Sequence, residues 1–115
     1  MHELGVVFYV IRDVKEVAEQ NNVESINSVT LEIGEVSGVI HEYLIDCWNW
    51  ARKREKVTET AELKIEQLDA VSFCEDCKQE YPTVSFAKIC PHCKSENTYL
   101  LRGNEFNIKE IEVND

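Results

Sequence analysis

Between Leu4 and Ala18 the apolar residues Leu4, Val7, Phe8, Ile11, Val14 and Ala18 recur at intervals of three and four. Charged residues fall mostly elsewhere, so the spacing predicts an amphipathic helix that ends near Asn21-Asn22. From Ile26 to Ile33 the period changes to two, with Val29, Leu31 and Ile33 on one side and Ser28, Thr30 and Glu32 on the other. That alternation predicts a strand with one buried face. After a turn framed by Gly34 and Gly38, Ile40, Tyr43, Leu44, Cys47, Trp48 and Ala51 restore the helical interval. Arg52-Lys53-Arg54 complements the helix dipole, and the helix is expected to stop near Lys56.

Ala61, Leu63 and Ile65 alternate with Glu62, Lys64 and Glu66 to predict a second strand, and Phe106-Ile108 with Ile111-Val113 predict a third. In the third the apolar positions pass from even to odd numbers, which calls for a bulge or twist near Lys109-Glu110. The order helix, strand, helix, strand, insert, strand describes an α+β chain, with two helices packed on a three-stranded sheet. An inserted four-cysteine, zinc-ribbon-like domain occupies 69–103. The expected division is therefore 1–68 plus 104–115 for the α+β domain and 69–103 for the metal domain.

The chain has 115 residues, of which 22 are acidic and 12 basic, giving a net charge of −10. No segment forms the basic stripe that phosphate binding requires, so nucleic acid is not expected as a partner. Neither a membrane span nor a secretion signal can be read from the apolar runs, and the expected location is cytoplasmic. Five cysteines without a secretion signal fit metal ligation better than a disulfide framework.

Cys74-Glu-Asp-Cys77 and Cys90-Pro-His-Cys93 are separated by twelve residues. Two tight turns at this spacing can bring four thiolates to the corners of a tetrahedron. A fully ligated ion has no open position, so the expected role is structural rather than catalytic. The apolar residues between the pairs are too few to order the segment alone, and ligation must supply the difference. Lys78, Lys88 and Lys94 flank the ligands and partly offset the −2 charge of a four-thiolate zinc centre. Iron also accepts four thiolates, and the spacing leaves both metals open. His92 reads as a solvent-facing turn residue inside the second pair, and Cys47 as a core residue of the second helix.

His2 has a different chemistry. A free α-amine, the following amide nitrogen and the imidazole of a second-position histidine can close two fused chelate rings, and the Glu3 amide can complete a plane of four nitrogens. Planar nitrogen ligation is a preference of Ni²⁺ and Cu²⁺ rather than of Zn²⁺. An unperturbed α-amine loses its proton at about pH 7.7–8.0, so such binding weakens on acidification. His41 and Glu42 need no purpose beyond opening the second helix.

Met1-His2-Glu3, the segment Leu31-Glu-Ile-Gly-Glu35, the cysteines at 74, 77, 90 and 93, and Gly103-Asn-Glu105 occur together in an order that resembles the HypA/HybF family of hydrogenase nickel-incorporation proteins. The resemblance implies a nickel metallochaperone with transferable nickel at His2 and, second, Glu3, and a structural zinc on Cys74, Cys77, Cys90 and Cys93. It further implies delivery to the large-subunit precursor of a [NiFe]-hydrogenase together with a nickel-handling GTPase and, in some organisms, service to urease maturation proteins. No catalysis by the chain is implied. Where some relatives carry an acidic residue after the Gly-Glu turn this sequence has Ile40, so no side-chain ligand is carried over from that turn. A zinc-ribbon adaptor without transferable metal and an iron-thiolate electron carrier are the competing classes.

Overall fold

The computed structural model describes residues 3–114. It contains α1 (Glu3–Gln20), β1 (Ile26–Gly34), α2 (His41–Ala51), β2 (Glu62–Leu68), β3 (Val71–Cys74), β4 (Glu80–Pro82), α3 (Thr83–Phe86), β5 (Thr98–Arg102) and β6 (Phe106–Val113). The α+β class, its two long helices and the sheet order β2-β1-β6 agree with the sequence pattern. A second three-stranded sheet, β4-β3-β5, lies in the cysteine segment and was not expected. Two compact units result, one of residues 1–32, 39–66 and 107–115, the other of 33–38 and 67–106.

In the first unit α1 buries Val7, Val10, Ile11, Val14 and Ala18, and α2 buries Leu44, Trp48 and Ala51. Leu4 and Phe8, placed on the inner stripe by spacing, are 40% and 44% exposed, whereas Val10 is buried. Periodicity fixes the side of a helix but not how far its covering extends, and here the stripe is rotated toward Val10. Phe8 instead meets Trp50 edge-on at 6.3 Å, and the Arg54 guanidinium lies 4.8 Å from the Trp50 ring centre. The Trp48 indole N–H donates to the Ala61 carbonyl at 2.9 Å, which satisfies both groups in the core.

The α-helix of α2 stops at Ala51, before the expected end near Lys56, and continues as two 3₁₀ turns, Arg52–Arg54 and Lys56–Thr58. The buried Thr58 hydroxyl donates to the Arg52 carbonyl at 2.9 Å, a competing bond that occupies a helix-end acceptor. Ser28 and Thr30, expected on the solvent face of β1, are buried. β1 is the central strand, and the Lys109 ammonium of β6 reaches across it to Glu66 of β2 at 2.8 Å. This ion pair holds the Lys109 pKa above its ordinary value, first through the Glu66 hydrogen bond. Along β6 the half-buried positions Phe106, Ile108 and Ile111 reproduce the expected change of phase at Lys109-Glu110.

The second unit is organised around β3. It pairs antiparallel with β4 and with β5, and the β5 register shifts between Val71 and Ser72. Ser72 and Cys74 point inward along β3, while Phe73 meets Tyr99 of β5 with ring centres 5.6 Å apart. The turn after β1 is stitched to this unit by three amides. Gly34 donates to the Glu105 carbonyl, Glu35 to Leu68 and Val36 to Gly103, each at 2.8 Å. The Glu35 carboxylate accepts from the Ala70 amide at 2.8 Å and the Glu105 carboxylate from the Gly103 amide at 2.8 Å. Both glycine-bearing motifs singled out in the sequence thus meet at one backbone junction.

Candidate metal centre

Each cysteine pair forms the same short hairpin. In the first, the Cys74 amide donates to the Gln79 carbonyl and the Lys78 amide to the Cys74 carbonyl, both at 2.9 Å. In the second, the Cys90 amide donates to Ser95 and the Lys94 amide to Cys90, again at 2.9 Å. The residue following each pair turns the chain at positive φ, 62° at Lys78 and 65° at Lys94. That conformation is uncommon for a residue with a Cβ, and here it recurs at the same place in two hairpins. It lets the amides after the first cysteine face its sulfur, as the His92 amide does for Cys90 at 3.4 Å.

The four Sγ atoms lie within 4.8 Å of one another, with Cys74–Cys93 and Cys77–Cys90 both at 3.6 Å. A disulfide would need about 2.05 Å. A tetrahedral Zn²⁺ with Zn–S of ~2.3 Å needs sulfurs about 3.8 Å apart, so the donor set fits a four-thiolate zinc centre. Cys74 and Cys90 are fully buried, Cys77 is half-buried and Cys93 is exposed. The Cys74 thiol is pulled down to about 7, first by the Cys77 amide and also by the Asp76 amide. Burial, followed by the neighbouring sulfurs, pushes Cys77 up to about 12. At Cys93 the Ser95 amide lowers the thiol pKa, but burial and the Cys74 and Cys90 sulfurs outweigh it and the net shift is upward. Cys77 and Cys93 therefore hold their protons more tightly than ordinary thiols until a cation displaces them.

Asp76, which carried no expectation from the sequence, bridges the two hairpins. Its carboxylate accepts from the Ser95 hydroxyl on one oxygen and from the Asn97 side-chain amide on the other, the latter at 3.3 Å. The Asn97 amide donates to Ser95 Oγ at 3.0 Å, and the Glu75 amide donates to the Asn97 carbonyl at 3.0 Å. First Ser95, then Asn97, hold the Asp76 pKa below its ordinary value.

His2 lies outside the described residues. Glu3 begins α1, and its carboxylate accepts from the Ile40 amide at 3.3 Å, immediately before α2. His41 and Glu42 open α2 as expected, and Cys47 is half-buried on that helix and is not one of the grouped cysteines. His92 is exposed. Among the described residues, the four cysteines are the one group of three or more potential side-chain ligands close enough to share an ion. No helix among them is long and apolar enough to cross a membrane.

An α+β scaffold that carries four cysteines grouped closely enough to share one ion defines a protein with a candidate four-thiolate metal centre. A family model described as hydrogenase/urease nickel incorporation, metallochaperone, hypA matches residues 1–113. The chain is 34% identical over 113 residues to the hydrogenase maturation factor HypA of Chlorobaculum parvum, covering 98% of this chain and 99% of that one. It is 31% identical over 112 residues to the hydrogenase maturation factor HybF of Klebsiella pneumoniae, covering 97% and 98%. The solution structure of the Ni metallochaperone HypA from Helicobacter pylori superposes with a TM-score of 0.72 at 28% identity, covering 98% of this chain and 97% of that one. The chain belongs to the HypA family of nickel-incorporation metallochaperones, which act as maturation factors and not as enzymes.

Proposed function

We propose that this chain binds Ni(II) at its N-terminus and delivers it during maturation of a [NiFe]-hydrogenase, while Cys74, Cys77, Cys90 and Cys93 hold a structural zinc. The observation that carries the reading is similarity over the whole chain to a nickel-incorporation family, joined to a histidine at position 2. His2 supplies imidazole, its own amide and the preceding amine, and Glu3 supplies a further amide nitrogen. Four nitrogens in a plane suit Ni(II) and leave an exposed face from which the cargo can exchange into a receiving protein. Support for zinc comes from sulfurs spaced for a tetrahedron and from a closed ligand set without a vacant position.

Residues 1–68 with 104–115 form the nickel-handling domain in this reading, and 69–103 form the zinc domain. Its partners are the hydrogenase large-subunit precursor and a nickel-handling GTPase, and it works in the cytoplasm. The family description names urease beside hydrogenase, and urease maturation proteins are further partners for the same cargo.

Titration of tag-free protein with Ni²⁺, followed by optical spectroscopy, tests the reading. Wild type takes up one Ni²⁺ with the spectrum of a planar nitrogen site, and His2→Ala or an acetylated α-amine abolishes that signal while leaving zinc content unchanged. Unchanged nickel uptake after acetylation overturns it in favour of an adaptor without transferable metal.

A further inference from the structure

The two cysteine hairpins are not equally anchored. Cys74 ends β3, the central strand of its sheet, with partners on both sides. Cys90 and Cys93 belong to a turn region between α3 and β5, and Cys93 is exposed. A metal held by two such hairpins leaves most readily when the less anchored one swings away, because that motion removes two thiolates together. What opposes the swing, apart from the ion, is the packing of buried Cys90 against Cys74 and Tyr81, the Thr98 hydroxyl bond to the Lys88 carbonyl, and the bonds between the hairpins.

Asp76 lies in the first hairpin's turn and receives bonds from Ser95 and Asn97 beyond the second pair. Both of its oxygens are used, Ser95 Oγ is further fixed by the Asn97 amide, and the Asn97 carbonyl accepts from the Glu75 amide. We infer that Asp76, with Ser95 and Asn97, is a latch that sets how fast the four-cysteine centre releases its metal. Asp76 is a positioning residue, since its carboxylate is bonded to Ser95 and Asn97 rather than to a ligand sulfur and acts by holding Cys90 and Cys93 over Cys74 and Cys77. The inference rests on the assignment of zinc to the four cysteines.

The test is zinc transfer from the full-length holo protein to excess 4-(2-pyridylazo)resorcinol at neutral pH. A charge-assisted hydrogen bond at an exposed site corresponds to roughly a five- to tenfold change in rate when lost. Asp76→Ala and Ser95→Ala are each expected to release zinc about five- to tenfold faster, with the double variant no faster than the quicker single one. Glu75→Ala removes the neighbouring carboxylate but keeps the backbone bond to Asn97, and it is expected to release zinc at the wild-type rate. Alkylation of the holo proteins with N-ethylmaleimide, read by mass spectrometry, supplies a readout that general loosening would not give. In Asp76→Ala, Cys90 and Cys93 gain label before Cys74 and Cys77. Wild-type release rates in both single variants, or acceleration equally large in Glu75→Ala, or uniform labelling of all four cysteines, overturn the latch. Wild-type protein that binds no zinc overturns the zinc assignment and the latch together, whereas bound zinc with unchanged rates overturns the latch alone.

Discussion

Gly34 and Gly103 meet backbone to backbone. A Cβ added to Gly34 would lie 2.0 Å from the Gly103 carbonyl oxygen, and one added to Gly103, whose φ is 124°, would lie 2.4 Å from Ala70 Cα. No rotamer adjustment relieves either clash, because the obstructing atoms are backbone or a Cβ. The two motifs Leu31–Glu35 and Gly103–Glu105 are therefore the two sides of one contact, held by the Gly34 amide on the Glu105 carbonyl and the Val36 amide on the Gly103 carbonyl.

Gly34→Ala and Gly103→Ala should each destabilise the chain by about 2–3 kcal/mol, since the clash must be relieved by moving hydrogen-bonded backbone. Urea unfolding checks this, with a lower midpoint and little change of slope expected. Gly5 has nothing within 4 Å of an added Cβ and lies inside α1, so Gly5→Ala should stabilise instead, by up to about 1 kcal/mol.

Replacing Cys74 or Cys90 by Ser should remove stoichiometric zinc and disorder the β4-β3-β5 unit. A buried hydroxyl is a poor substitute for a thiolate in a zinc shell, and the few buried side chains around it, with Tyr81 the largest, cannot order the segment. Zinc content by inductively coupled plasma mass spectrometry, together with amide exchange across residues 71–102, measures both effects. Chelation of wild type should produce the same exchange pattern.

Zinc binding to the demetallated chain should release fewer protons as pH rises from about 6 to about 9. Near pH 6 Cys74 and Cys77 are both largely protonated and must yield their protons. With Cys74 drawn down to about 7, one has already left by the upper end, whereas Cys77 at about 12 still carries its proton. The sign follows directly: zinc affinity falls on acidification, because protons compete for the same sulfurs. Titration in two weak buffers of different ionisation enthalpy counts the protons, and a count independent of pH would contradict the assigned order.

Trp48→Phe should cost about 1–2 kcal/mol by leaving the Ala61 carbonyl without its buried donor. Trp50→Phe, at a side chain 54% exposed, should cost less than half as much. Thermal unfolding of both variants gives the comparison.

The long helices and the strands at 26–33, 62–66 and 106–113 were legible because each is an amphipathic surface resting on one core, and period follows from that geometry. What escaped is where covering comes from residues distant in sequence. Ser28 and Thr30 read as solvent-facing, yet lie buried on the central strand of their sheet. Leu4, Phe8 and Tyr43 read as core, yet are largely exposed. The second sheet was missed because β3 and β4 are four and three residues long, too short to establish a period. The four ligands were legible from spacing alone, since a tetrahedron restricts the turns that can build it. Asp76 was not, because its partners at 95 and 97 become neighbours only after both hairpins have formed.

The repetition of one hairpin at both cysteine pairs has a consequence for assembly. Each half is closed by bonds within six residues, from Cys74 to Gln79 and from Cys90 to Ser95. An arriving ion therefore has only two short loops to close as it orders the segment. It joins the two across the twelve residues between Cys77 and Cys90, as a removable cross-link whose stabilising effect grows with the loop it closes.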